Sequence, residues 1–145
     1  MRYCSAAKRI GASSQRYQRP RGASHKPVVH LVDDIEMMHG RVHRAVRECS
    51  SDVCLGLSGE FDIYNKRQLA ATLASSVAYP TITIDLAETR FIDAGIMGVF
   101  ARFAGLRREL GAAQLRIVNV NKLIFRLFSI CRLDTLFCIE EQPNA

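Results

Sequence analysis

Three aspartates, Asp62, Asp85 and Asp93, stand in or just after short apolar runs that read as strands. Carboxylates placed there serve as general acids or bases, as metal ligands or as helix caps, and the neighbouring residue types decide which. No histidine follows His43, and no G-x-S-x-G or H-E-x-x-H occurs, so a nucleophile–base pair or a zinc hydrolase motif is missing. The chain also lacks G-x-G-x-x-G and G-x-x-x-x-G-K, and no lysine or arginine lies within 91–101 to meet a phosphate. The five cysteines, Cys4, Cys49, Cys54, Cys131 and Cys138, form no C-x-x-C, and His25, His30, His39 and His43 are not spaced with them as a zinc site requires. Cys54 and Cys138 alternate with apolar neighbours in VCLGL and LFCIE, which reads as core thiols in a reducing, cytoplasmic setting. No catalytic residue, metal or cofactor is expected. Asp93 then reads most simply as an N-cap, accepting from the amides of Gly95 or Ile96.

The elements around these carboxylates alternate in period. RVHRAVRE (41–48) and VCLGLSG (53–59) read as strands joined by a turn at CSSD, a hairpin. Residues 27–40, PVVHLVDDIEMMHG, fit either a short strand or a helix started near Asp33, and 28–40 is a linker or one extra short element. Leu69, Leu73 and Val77 predict a helix over 66–78, closed by Pro80. TITIDL (81–86) is a short strand that two layers of helix could cover. Ile96, Val99, Phe100, Phe103, Leu106, Arg107 and Leu110 predict a helix over 95–110, ended by Gly111. QLRIVNV is a strand, NKLIFRLFSI (121–130) a helix and LFCIE a last strand. Strands feeding helices imply crossovers, hence an α/β fold with a mixed, mostly parallel sheet, an initial β-hairpin and three to four helices. If all helices lie on one face, the other must tolerate water or be covered by the segment before residue 40.

Charge is uneven. Seven of the twenty Lys and Arg fall in residues 1–28, which hold no acid, leaving thirteen against fourteen acids elsewhere. The basic pI therefore belongs to a leader, 1–27, expected to be solvated and dispensable for folding, and no specific nucleic-acid partner follows from it. No stretch reaches the roughly 20 apolar residues of a membrane span.

LSGEFDIYNKRQL, then ITIDLAETRFIDAGIMGVF, then IVNVNKLIFRLFSICRLDTLFCI together resemble the STAS domain, over about Arg41 to Glu140, with 141–145 as a tail. The resemblance implies an anti-sigma factor antagonist: a non-catalytic domain that sequesters an anti-sigma factor, usually a histidine-kinase-like serine kinase, and so frees a sigma factor. It implies a partner-binding set of Glu60, Asp62, Asp93, Ala94, Gly95, Ile96, Met97 and Gly98, and a weak homodimer is a further expectation. The family pattern Asp-Ser-Ser-Gly-Leu-Gly falls on Asp93–Gly98, so the serine phosphorylated in switchable members corresponds to Gly95 and the serine before it to Ala94. The usual off-switch has no hydroxyl here. With Ile96, Val99, Phe100 and Phe103 as the buried stripe, Met97 is the better candidate for an exposed anchor. Arg132 stands where the family has a glycine, at a position suited to a left-handed backbone. The alternatives are a STAS accessory subunit of a membrane lipid or anion transport system, and a stress-signalling scaffold.

Overall fold

The computed structural model describes residues 29–47 and 52–143. The leader, the turn at 49–51, Cys4 and Cys49 lie outside the described residues. Six strands form one sheet: β1 (Val29–Met37), β2 (Gly40–Arg47), β3 (Asp52–Phe61), β4 (Thr81–Ile92), β5 (Arg116–Val120) and β6 (Cys138–Glu141). Three helices, α1 (Lys66–Ser75), α2 (Ala94–Glu109) and α3 (Lys122–Ile130), connect the last four strands. Spatial order equals sequence order; β1–β2–β3 pair antiparallel and β3 through β6 pair parallel. The segment 29–37 is therefore a sheet strand and not a helix. It joins β2 through a two-residue turn in which His39 takes a left-handed φ of 66°.

Parallel strands that step in one direction through right-handed crossovers place every helix on the same face. Burial follows: Val53, Leu55 and Leu57 of β3, Ile82, Ile84 and Leu86 of β4 and Ile117 of β5 are core, whereas their alternates are part-exposed. The strand at 81–86 is thus covered on one side only. Thr81, Thr83 and Asp85 face the open side, where hydroxyls and a carboxylate meet water. Cys54 lies on that open side too, in contrast to the core position expected for it, while Cys138 is buried. β4 runs on to Ile92 because two register shifts against β3, near Gly56/Ser58 and Gly59/Glu60, absorb the polar residues of AETR.

α2 is the central helix. It packs on the sheet, beside α1, and meets α3 through Phe100 and Phe128, whose ring centroids are 6.1 Å apart. Three sides of contact widen its buried arc to include Met97, Ala104 and Arg107. Leu106 and Leu110, which helical spacing assigned to the stripe, are exposed. Arg107 is buried and donates to the carbonyls of Val77, Tyr79, Pro80 and Ala113, so it ties the end of α2 to the α1–β4 connection. Burial pushes its guanidinium below the ordinary arginine range. On the same face, toward the β1 edge of the sheet, Arg44 of β2 makes a two-pronged bond to Asp33 of β1, at 2.7 and 3.0 Å, and reaches Ser75 of α1. Arg132 has φ 55°, the left-handed conformation anticipated for a position that suits glycine.

A candidate protein-docking rim

At the carboxyl ends of β3, β4 and β5, four chain segments converge: the β1–β2 turn, the β3–α1 loop, and the starts of α2 and α3. Asn65 organises the first two. Its side chain is fully buried; Nδ2 donates to the Met38 and Glu60 carbonyls, each at 2.8 Å, and Oδ1 accepts from the Asp62 amide at 3.0 Å. It stands at the N-cap of α1 yet makes no cap bond with its side chain, because those atoms are spent on tertiary contacts. Asp62 Oδ1 accepts from Tyr64 N at 2.9 Å, which turns the loop outward. Glu60 N donates to the His39 carbonyl at 2.8 Å. Gly59 (φ 94°) passes so close to His39 that a Cβ there would sit 2.4 Å from its carbonyl oxygen; no other residue fits.

Asp93 caps α2. Oδ1 accepts from Ile96 N at 2.9 Å, and its own amide donates to the Phe61 carbonyl at 3.2 Å, fastening the helix start to the end of β3. Asn121 caps α3 in the same way, through Ile124 N. Gly95 lies in the first turn of α2, where a Cβ would meet Asp93 Oδ1 at 3.3 Å and Lys66 Nζ at 3.5 Å. Thr89, the one hydroxyl residue in 89–98, is buried, and its Oγ1 donates to the Leu57 carbonyl.

Of the residues expected to contact a partner, Glu60, Ala94 and Gly98 are exposed, and Asp62, Asp93 and Gly95 are half-buried along the same rim. Ile96 and Met97 are not surface residues. Met97 is 1% exposed and Ile96 0%, which corrects the reading of Met97 as an exposed anchor: with α1 and α3 on either side, the helix buries both residues of its first inward turn. The anchors lie elsewhere. Ile63 is 76% exposed and Tyr64 70%, and Met38, Phe91 and Leu123 are exposed at the same end of the sheet. These are five of the eight exposed large apolar residues among the described residues, gathered at one end of the molecule. His39 packs edge-on against Tyr64, with centroids 5.9 Å apart. The signal for Ile63 and Tyr64 was present in the sequence as two large apolar residues between Asp62 and Asn65, in a strand-to-helix loop. The work of Asn65 carries no local signal. Among the described residues no group of histidine, cysteine and carboxylate side chains could hold a metal ion.

Residues 44–139 match the family model described as "Mlab, STAS domain". The chain belongs to the STAS family. Among curated proteins none matches. Solved structures carry the same fold at low identity. An anti-sigma factor antagonist from Mycobacterium paratuberculosis is 18% identical with a TM-score of 0.56, covering 71% of this chain and 86% of that one. The Bacillus cell fate determinant SpoIIAA in its phosphorylated form is 14% identical with a TM-score of 0.52, covering 75% and 90%. Its unphosphorylated form is 13% identical with a TM-score of 0.53, covering 79% and 90%. Against the family match, β1 and the first residues of β2 precede the matched span of this STAS domain. No helix among its described residues is long and apolar enough to cross a membrane.

Proposed function

We propose that this STAS domain is a cytoplasmic anti-sigma factor antagonist that binds its partner, a histidine-kinase-like serine kinase, through the rim and without a serine switch. The observation that carries the reading is the exposure of Met38, Ile63, Tyr64, Phe91 and Leu123 at the end of the sheet that also holds the capped start of α2. Exposed aromatic and aliphatic side chains held on a rigid frame are what protein partners use as anchors. Asp93, Asn65 and Gly59 supply the frame. Ala94 and Gly95 offer no hydroxyl, and the Thr89 hydroxyl is buried and engaged, so a kinase finds no acceptor at the α2 start. Binding is then controlled by the amounts of the two proteins. A phosphate would otherwise bring about −1.5 to −2 charges to that contact.

A second reading, an accessory STAS subunit of a membrane lipid or anion transport system, uses the same rim and is favoured by the Mlab description of the matched family model. Calorimetry against the anti-sigma factor kinases of the same cell tests the first. Tyr64→Asp, at an exposed loop position, should weaken binding about tenfold or more while leaving the melting temperature in place. Unchanged affinity in the folded variant removes the rim from the interface, and absence of binding to any such kinase removes the antagonist reading.

A further inference from the structure

The sheet face without helices carries a trough. Its floor is Gly56, Ser58 and Ala87, side chains too small to fill the space above the backbone. Two adjoining depressions, about 810 and 370 Å³, share Arg41, Ser58, Ala87 and Glu88 and form one channel along β2, β3 and β4. The walls are acidic: Asp34 and Glu36 rise on the β1 side, and Asp85 and Glu88 on the β4 side, against Arg41 and Arg90. Glu36 is paired with Arg41, and Asp34 shares a bond with His43. Asp85 is held by neutral donors, the Asn119 side chain and the Ala87 amide, and Glu88 has no cationic partner among the described residues. The trough therefore holds four carboxylates against two guanidinium groups, those of Arg41 and Arg90, an acidic excess on an open, narrow floor. That shape suits an extended basic chain more than a compact ligand, and its sign repels nucleic acid and anionic lipid.

We propose that the trough is the docking site of this protein's own basic leader, residues 1–28. The leader carries seven lysines and arginines and no acid, whereas the rest of the chain is close to neutral. It is also attached at the right distance. Twenty-eight residues reach about 90 Å at full extension. That exceeds the roughly 30 Å length of the nine-residue β1, whose far end flanks the trough. A tether within reach raises the effective concentration of the attached charge, so even a weak contact fills the site. Guanidinium groups pair with carboxylates in two-pronged fashion, and Asp85 and Glu88 are the partners left for them. The inference stands apart from the docking reading, since the floor of the trough lies on the open face of the sheet and no second protein is needed, although one end of the trough, at His39 and Gly59, borders the rim.

The test uses the full chain and nuclear magnetic resonance signals of Gly56, Ser58 and Ala87. A variant with Lys8, Arg9, Arg16 and Arg19 replaced by glutamine keeps the length but removes most of the reachable charge. At low salt the native trough signals should differ from those of this variant, and about 0.5 M salt should bring the two together. Glu88→Lys, at an exposed residue without a partner, should reproduce the variant's spectrum with the native leader. Identical trough signals in native and variant chains at low salt overturn the proposal. Differences that grow with protein concentration also overturn it, because they place a second copy in the trough. Changes confined to the rim or to α3 overturn it in favour of another leader site.

Discussion

Replacing Asn65 by alanine deletes three hydrogen bonds from a side chain with no solvent exposure. At about 1 kcal/mol each these bonds contribute about 3 kcal/mol. The loss reaches about 5 kcal/mol if the Asp62 amide finds no water in the space left behind. For a domain of this size, at about 3–4 °C per kcal/mol, the melting temperature should fall by about 10–20 °C. Asn65→Asp is the sharper variant. It retains an acceptor for Asp62 N but turns an anionic oxygen toward the Met38 and Glu60 carbonyls, so it should be no more stable than the alanine variant. Urea unfolding gives the free-energy difference. Hydrogen exchange reports the local effect, with faster exchange at 38–40 and 60–65 under native conditions and little change in β5 and β6. A loss under about 1 kcal/mol, or exchange rates unchanged in the β1–β2 turn, would refute the role of Asn65 as the clamp of the rim.

Met97→Asp buries a carboxylate without a partner between α2 and its neighbours, and should cost more than about 4 kcal/mol; a folded variant by circular dichroism would contradict the packing described. Gly95→Ser places a hydroxyl at the α2 start beside Lys66, and this variant should gain one phosphate from the partner kinase and ATP while the native chain gains none, as read by intact mass; phosphate on Thr89 of the native chain would overturn the switchless reading. The bond from Arg44 holds the Asp33 carboxyl below its ordinary value, with the Arg44 charge adding to it against the opposing effect of burial. A depressed value in the folded state means that the pair stabilises the fold above about pH 4 and that this contribution is lost as pH falls through the folded-state value. Asp33→Asn should therefore flatten the acid limb of stability between pH 5 and 2 in urea titrations; an unchanged slope would assign that limb to other carboxylates.

Much of the architecture was legible because its causes are local. Leu69 and Leu73, Phe100 and Phe103, and Ile124 and Phe128 repeat at helical spacing, and all six are buried on the predicted helices. The caps at Asp93 and Asn121 sit directly before those repeats. β1 was ambiguous because Leu31, Ile35 and Met38 keep helical spacing while Asp33, Ile35 and Met37 alternate. The choice is made by Arg44, eleven residues from the Asp33 it bonds. Met97 was misplaced for a similar reason. A single stripe describes a helix covered on one side, and α2 is covered on three. The site was legible in its position but not in its anchors. Gly59, Asp62 and Asp93 mark the rim in sequence, yet the buried state of Asn65 depends on Met38, which only the folded sheet brings near.

A sheet whose spatial order equals its sequence order also has a history written into it. Each strand pairs with the one made just before it, and no connection is longer than that from Ile92 to Arg116. Loop closure is thus cheap at every step, and the entropic cost grows only slowly with each added unit. A chain emerging amino-terminal first can pair β1, β2 and β3 and then add one strand and one helix at a time, never waiting for a distant partner. Such low sequence separation between contacts belongs to the faster side of α/β folding. Within that order Arg107 arrives late: its guanidinium reaches Val77, Tyr79 and Pro80 only after α2 has crossed back over the sheet. It closes behind the growing end like a latch, so that once α2 is seated the earlier half of the molecule is held by a residue from the later half.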